Sequence, residues 1–400
     1  MLNKRLVLTL FEAFSIERWN DLVRPFHPVE MDQAAEKMFL AFIIGKYEEK
    51  KGSKVNWDKI ITFSFFALLK KIALSDIKAP IQYLIRTSYP EEYKKIKKWI
   101  FEKYSPLIDN VHVLNLFKDY LFSSNDDNCK ECEILEAAHK ISSLRELEML
   151  KPSNEAFRLE KIIKSIKKDV WDFVHLDGVR FFLQKEGTYR FITEIEKLRF
   201  QIRWNQTPRI PLTSVLGHSY FVALLTLLMC YDLNLNKDRV YNNFFCGLFH
   251  DLPEAVTRDI ISPVKAATDS LPDVVKEIEE KVVKEELLPL IDEYYRNEIL
   301  YYIKDEFENR VIVDGKLKIV KDYTEFETQY KDSLFRACDG KLIRFADHIA
   351  AFVEADSSIK FGITSSQLED GRRGIISRYQ VGKKINGLSV DMFFSSFRQN

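Results

Sequence analysis

SYFVALLTLLMC at residues 219–230 and GKLIRFADHIAAFVEA at residues 340–355 set apolar side chains three and four positions apart, the period of a helix with one buried face. TEIEKLRFQIRW at residues 193–204 has the same period. Glycine occurs 13 times and proline 12 times, and alternation bounded by turn residues is confined mainly to KLKIV from Lys316. The spacing predicts an all-α fold.

A chain of 400 residues exceeds the usual span of one hydrophobic core, so two domains are expected. Polar breaks fall at 122–131, 151–157 and 233–239, and the second, KPSNEAF, reads as the domain boundary. The charged helical stretch after it connects two halves or completes the first. Hydrophobic residues make up 46% of the chain and charged residues 30%, an ordinary globular balance. Lys plus Arg and Asp plus Glu stand at 60 each, so no net field draws the molecule to a nucleic-acid polymer or an anionic bilayer. Phosphate recognition has to come from a local site.

Glu12 and Glu17 interrupt the apolar amino terminus too early for a signal peptide or a spanning helix, and a cytoplasmic location is expected. Five cysteines in a long chain argue against a disulfide framework and for a reducing compartment. The single CxxC of Cys129 and Cys132 lacks a second pair to close a zinc site, and chance spacing is its expected reading.

The sequence also repeats. RLVLTLFEAFSIERWNDLVR from Arg5 aligns with RFITEIEKLRFQIRWNQTPR from Arg190, so that Arg18, Trp19, Asn20 and Arg24 fall on Arg203, Trp204, Asn205 and Arg209. SDIKAPI ending at Ile81 then matches RDIISPV ending at Val264, with Asp76 on Asp259 and Pro80 on Pro263. EAAHKISSL around His139 matches RFADHIAAF around Asp347. Tryptophan is rare, and RWNxxxR recurring in a helical setting favours two diverged copies of one helical domain.

The chemistry lies in the second copy. His218 sits one turn into an apolar helix, where a lone imidazole is more often a satisfied core residue than a ligand. It has company: the apolar run NNFFCGLF ends in His250 and Asp251, and at a helix end two adjacent side chains can converge on one ion. Asp347 interrupts an apolar face flanked by Phe345 and Ile349, where a carboxylate needs a metal, a cation or several hydrogen bonds. Two imidazoles and two carboxylates suit a borderline divalent ion such as manganese, cobalt, iron or zinc, with positions left for water and substrate.

His, then His-Asp, then Asp in an all-α chain resembles the HD-domain phosphohydrolase superfamily. The flanking Arg203-Trp204, GHS at 217–219, HDLPEAVTRD at 250–259, SPVK at 262–265 and FADHIAAFVEA at 345–355 look like the bacterial 5'-deoxynucleotidases, over about residues 190–360. The resemblance implies that His218, His250, Asp251 and Asp347 hold the metal, and that the ion orients a water against a nucleoside monophosphate. It further implies that Arg203 contacts the phosphate, that Trp204 packs against the sugar, and that Glu254 and Asp259 are the acid and base groups. Lys265 is a second candidate phosphate clamp. Structural alternatives exist for each: Glu254 as a first-turn acid, Asp259 as a helix cap, Trp204 as an architectural residue repeated at Trp19. Many members carry an acid just before the first histidine, where this chain has Gly217.

The expected organisation is therefore a degenerate HD-like domain at 1–165, a connecting helical segment at 166–189 and a catalytic HD domain at 190–400. In the first copy, the repeat offsets set Gln33, Ala67, Leu68 and His139 opposite the four ligands, so no metal site survives there. That copy either imitates the second subunit of a homodimer, the favoured reading, or retains a nucleotide as an effector through Arg18, Trp19 and Arg24. A monomeric pseudo-dimer and a homodimer are both open. The expected activity is release of phosphate from deoxynucleoside 5'-monophosphates, with a nucleotide as the small-molecule partner and no membrane involved. A triphosphohydrolase, a nucleotide phosphodiesterase and a nucleotide sensor with little turnover are the alternatives.

Overall fold

The computed structural model describes residues 1–75, 77–123, 129–258, 268, 270–379 and 382–398. The first half forms helices α1 (Lys4–Phe11), α2 (Glu30–Lys50), α3 (Trp57–Leu74), α4 (Ala79–Ser88), α5 (Pro90–Tyr104), α6 (Val111–Phe122) and α7 (Lys130–Leu150). α8 (Ala156–Trp171) and α9 (Asp177–Leu183) lead into α10 (Gly187–Phe200), α11 (Val215–Asp232), α12 (Lys237–Phe249) and the short α13 (Glu254–Thr257). Then follow α14 (Leu271–Val282), α15 (Glu293–Ile303), α16 (Tyr323–Gln329), α17 (Gly340–Lys360), α18 (Ser366–Arg378) and α19 (Asp391–Arg398). The fold is all-α, as the spacing predicts.

KLKIV does form a strand. Lys316–Ile319 pairs antiparallel with Asn309–Val313, which pairs in turn with Cys338–Asp339 at the start of α17. This small sheet fixes where α17 begins and hence where its inward face lies.

α11 sits at the centre, buried from Val215 to Cys230. It is long and apolar enough to cross a membrane, but 89% of it is buried within the fold, so its apolar surface is accounted for as a core helix. It packs on α2, α12 and α17, while α2 packs on α3, α7 and α9. One hydrophobic core runs from Leu6 through Phe42, Phe221 and Phe249 to Phe397, drawing on both halves. α8 passes through residue 165 without a break.

Several local geometries occur twice. Glu17 bridges Val29 as Ile202 bridges Ser214. Trp19 and Trp204 both take left-handed backbone, at φ 57° and 55°. Each tryptophan donates its indole N–H to a glutamate 2.8 Å away, Glu146 on α7 and Glu354 on α17. Asn56 caps α3 by accepting from the Lys59 amide, and Asn236 caps α12 by accepting from the Arg239 amide. Helices α3 and α12 aligned on these caps put Lys70 and Lys71 opposite His250 and Asp251, rather than the Ala67 and Leu68 expected from the repeat offsets. Asp76, in the second repeat block, lies outside the described residues.

Cys129 and Cys132 stand as a disulfide-bonded pair at the amino end of α7, against the expectation of chance spacing. The other three cysteines are buried and free.

The halves meet closely where α2 crosses α11. Asp32 accepts a 2.6 Å hydrogen bond from the Ser214 hydroxyl, and a Cβ added at Gly217 would lie 2.5 Å from Asp32 Oδ1 and 2.6 Å from the Phe14 ring. Gly217 is thus set by close approach, with the Asp32 carboxylate occupying the space that a side chain there would need. Gly217→Ala is expected to cost about 1–3 kcal/mol in urea denaturation, as overpacked sites do. An unchanged midpoint would contradict that packing.

Candidate metal centre

Ser214 caps α11 through the Gly217 amide, and that first turn directs His218 inward, fully buried. α12 approaches α11 closely because Gly247 has no side chain: an added Cβ would lie 3.0 Å from the Ala223 Cα. His250 follows the last turn of α12, and its Nδ1 lies 2.8 Å from the Gly247 carbonyl oxygen. A carbonyl can only accept, so Nδ1 carries the proton in this contact, and in the neutral ring Nε2 presents its lone pair.

The ring centroids of His218 and His250 are 5.4 Å apart. One ligand atom from each of His218, His250 and Asp347 lies within 4.8 Å of the others. Asp347 Oδ1 is 3.1 Å from His218 Nε2, and Asp251 Oδ2 is 3.2 Å from His250 Nε2 and 3.6 Å from His218 Nε2. Three of the four sequence-derived ligand candidates thus share one point, and Asp251 reaches both imidazoles beside it. His218 Nε2, His250 Nε2 and Asp251 Oδ2 are buried there without hydrogen-bond partners, a costly arrangement that a divalent cation would relieve. The donor set of imidazole nitrogen and carboxylate oxygen fits such an ion.

Without an ion, the charged groups of the cluster compensate one another. Burial opposes charge on His250, but Asp251 and Asp347 outweigh it and hold its pKa up at about 9. Burial raises the Asp347 carboxyl, yet His218, Arg203 and His250 together keep it well below the usual carboxylate range.

Arg203 reaches the cluster, with its guanidinium 3.6 Å from Asp347 Oδ1, 4.0 Å from Asp251 Oδ2 and 3.3 Å from Glu354 Oε1. Glu354 was not among the sequence candidates. It lies two turns beyond Asp347 on α17, fully buried, and also accepts from Trp204 and from the Thr213 hydroxyl at 2.8 Å. Burial raises its pKa, and Arg203 and Arg209 bring it down to about 2. Glu354 is a positioning residue that holds Arg203 and Trp204. Trp204 also lies against α18, where a Cβ at Gly371 would come within 2.7 Å of the indole, in keeping with an architectural part.

Glu254 opens α13, half-buried and close enough to Arg203 to raise its pKa, while its carbonyl accepts from Gln201. Asp259 and Lys265 lie outside the described residues. His348 turns away from the cluster, toward the Tyr379 hydroxyl and Arg378.

A second feature escaped the sequence reading. A cavity of about 730 Å³ opens from Asp347 and is lined by Lys321, Lys341, Arg344, Arg378, Lys383 and Lys384. Glu308 pairs with Lys341 at 2.7 Å. These cations come from α17, α18 and the segments around them, so no single stretch of sequence is basic.

Residues 195–375 match the HD domain family. The matched stretch contains His218, His250, Asp251 and Asp347, and the match suggests a metal-dependent phosphohydrolase in general. Compared with the curated proteins, the chain has no match.

Proposed function

We propose that the second half releases phosphate from deoxynucleoside 5'-monophosphates, using a divalent ion held by His218, His250, Asp251 and Asp347. The observation that carries this reading is Arg203, a guanidinium poised beside the ligand cluster and backed by Glu354, as a clamp for one phosphate. A bound ion supplies Lewis-acid charge and a water of lowered pKa. Arg203 neutralises the phosphate oxygens, Glu354 fixes its direction, and the Glu254 carboxylate takes or returns the proton.

We further infer that the first half is a degenerate copy of the second. The twin bridges, twin left-handed tryptophans and twin indole–glutamate bonds support that inference. In this reading the molecule is an internal pseudo-dimer.

The basic cavity beside Asp347 favours a second reading, a substrate with several phosphates such as a nucleoside triphosphate. The test is product analysis with manganese or cobalt across deoxy- and ribonucleoside mono- and triphosphates. Orthophosphate from deoxymonophosphates, with weaker release from ribomonophosphates, is expected. Tripolyphosphate or pyrophosphate from triphosphates, with inert monophosphates, would move the assignment to the second reading.

A further inference from the structure

The first half keeps the arginine and the tryptophan of the metal centre but inverts the charge of its ligands. Gln33 on α2 and His139 on α7 face each other at 2.6 Å, matching His218 and Asp347 in the repeat alignment. Arg18 pairs with Glu30 and Glu146 at 2.9 Å, as Arg203 pairs with Glu354. Lys71 stands opposite Asp251 by the helix caps. Lys37, one turn beyond Gln33 on α2, is 8% exposed.

Among the described residues, neither the Lys37 nor the Lys71 ammonium has a hydrogen bond or ion pair. Arg18 is engaged with its two glutamates, and Glu30 acts on both lysines, with Glu146 also acting on Lys71, through space rather than by direct pairing. Burial lowers the Lys37 pKa to about 8, with Lys71 and Arg18 adding to the effect against Glu30. Glu30 raises the Lys71 pKa, but burial, Arg18 and Lys70 together outweigh it. Burial, then Lys71, Arg18 and Lys37, holds His139 neutral. Arg18, Trp19, Lys71 and His139 each keep some exposure to solvent, so the cluster is reachable.

An unpaired ammonium nine-tenths buried is costly. In the metal centre, the positive charge that would meet a phosphate comes from the ion and Arg203. Here the lysines themselves supply it.

We propose that Lys37, Lys71 and Arg18, with His139 as a neutral hydrogen-bonding neighbour, form a metal-independent site for a phosphate group in the first half. Its ligand is inorganic phosphate or the phosphate of a small metabolite, bound without hydrolysis. The site rests on the first half's own residues and not on which substrate the second half takes.

The test is a thermal melt of metal-free protein with inorganic phosphate, repeated with sodium chloride at matched ionic strength and with a deoxynucleoside monophosphate. Phosphate is expected to raise the melting temperature where chloride does not. Lys71→Gln and Lys37→Met are each expected to weaken phosphate binding at least tenfold by calorimetry. Without phosphate, Lys37→Met should melt at or above wild type, since it removes a buried unpaired charge. A larger shift with the nucleotide, still lost in Lys71→Gln, would assign the ligand to a nucleotide; equal shifts would assign it to phosphate alone. Binding that survives both lysine variants but disappears in Arg203→Ala would put the anion in the metal centre and overturn the proposal. So would the absence of any phosphate-specific shift.

Discussion

Asp347→Ala is expected to lower metal-dependent phosphate release by at least about 10²–10³-fold, the scale on which a lost electrostatic contact at a reacting phosphate acts. Its carboxylate is 3.1 Å from His218 Nε2 and 3.6 Å from Arg203 Nη2, so its removal takes away a ligand and the partner that directs Arg203 toward the cluster. Metal content measured after gel filtration should fall with the rate. Asp347→Asn separates charge from shape, because it keeps the volume and one oxygen while removing the negative charge. If both variants retained metal and turnover, the HD cluster would not be the reactive centre. A melt in the presence of excess metal adds a check independent of activity. An ion at 100 times its dissociation constant stabilises the folded state by about 2.7 kcal/mol, and this increment should vanish in Asp347→Ala.

Arg199→Met is expected to destabilise the protein by about 3–5 kcal/mol, the range for breaking a buried ion pair from one side. Arg199 on α10 is fully buried between Glu36 on α2 and Glu146 on α7, both also fully buried. Glu146 would keep Arg18 and Trp19, and Glu36 would keep the Ser142 hydroxyl at 2.8 Å. Burial already pushes the Glu36 carboxyl upward against the pull of Arg199, so the variant would leave it protonated. Adding Glu36→Gln should recover part of the loss in urea denaturation, because the orphaned acid is then gone. A loss below about 1 kcal/mol for Arg199→Met would show that the charges re-pair or reach water more easily than their burial implies.

The helices and the clustering of His218, His250 and Asp347 were legible because both leave short-range marks. Apolar spacing announces α11 and α17, and His250 beside Asp251 at the end of an apolar run is a local pattern. Glu354 was not legible, since an acid two turns past Asp347 looks like any charged residue on a helix until Trp204 and Thr213 are folded against it. The basic cavity gathers Lys321, Arg344 and Lys383 from separate segments, so it exists only in three dimensions. The capping residues Asn56 and Asn236 set Lys70 and Lys71, rather than Ala67 and Leu68, level with His250 and Asp251, a register that short matching blocks of sequence do not mark.

The Asp32–Ser214 bond and the Arg199 pairs join surfaces that belong to one polypeptide. In an assembly of separate subunits such contacts form and dissolve with concentration, and the neighbouring centre would be whole only above the dissociation constant. Here the two surfaces remain tethered at any dilution. The support that α2 gives to the helix bearing His218 is therefore as complete for a single molecule as for a concentrated solution.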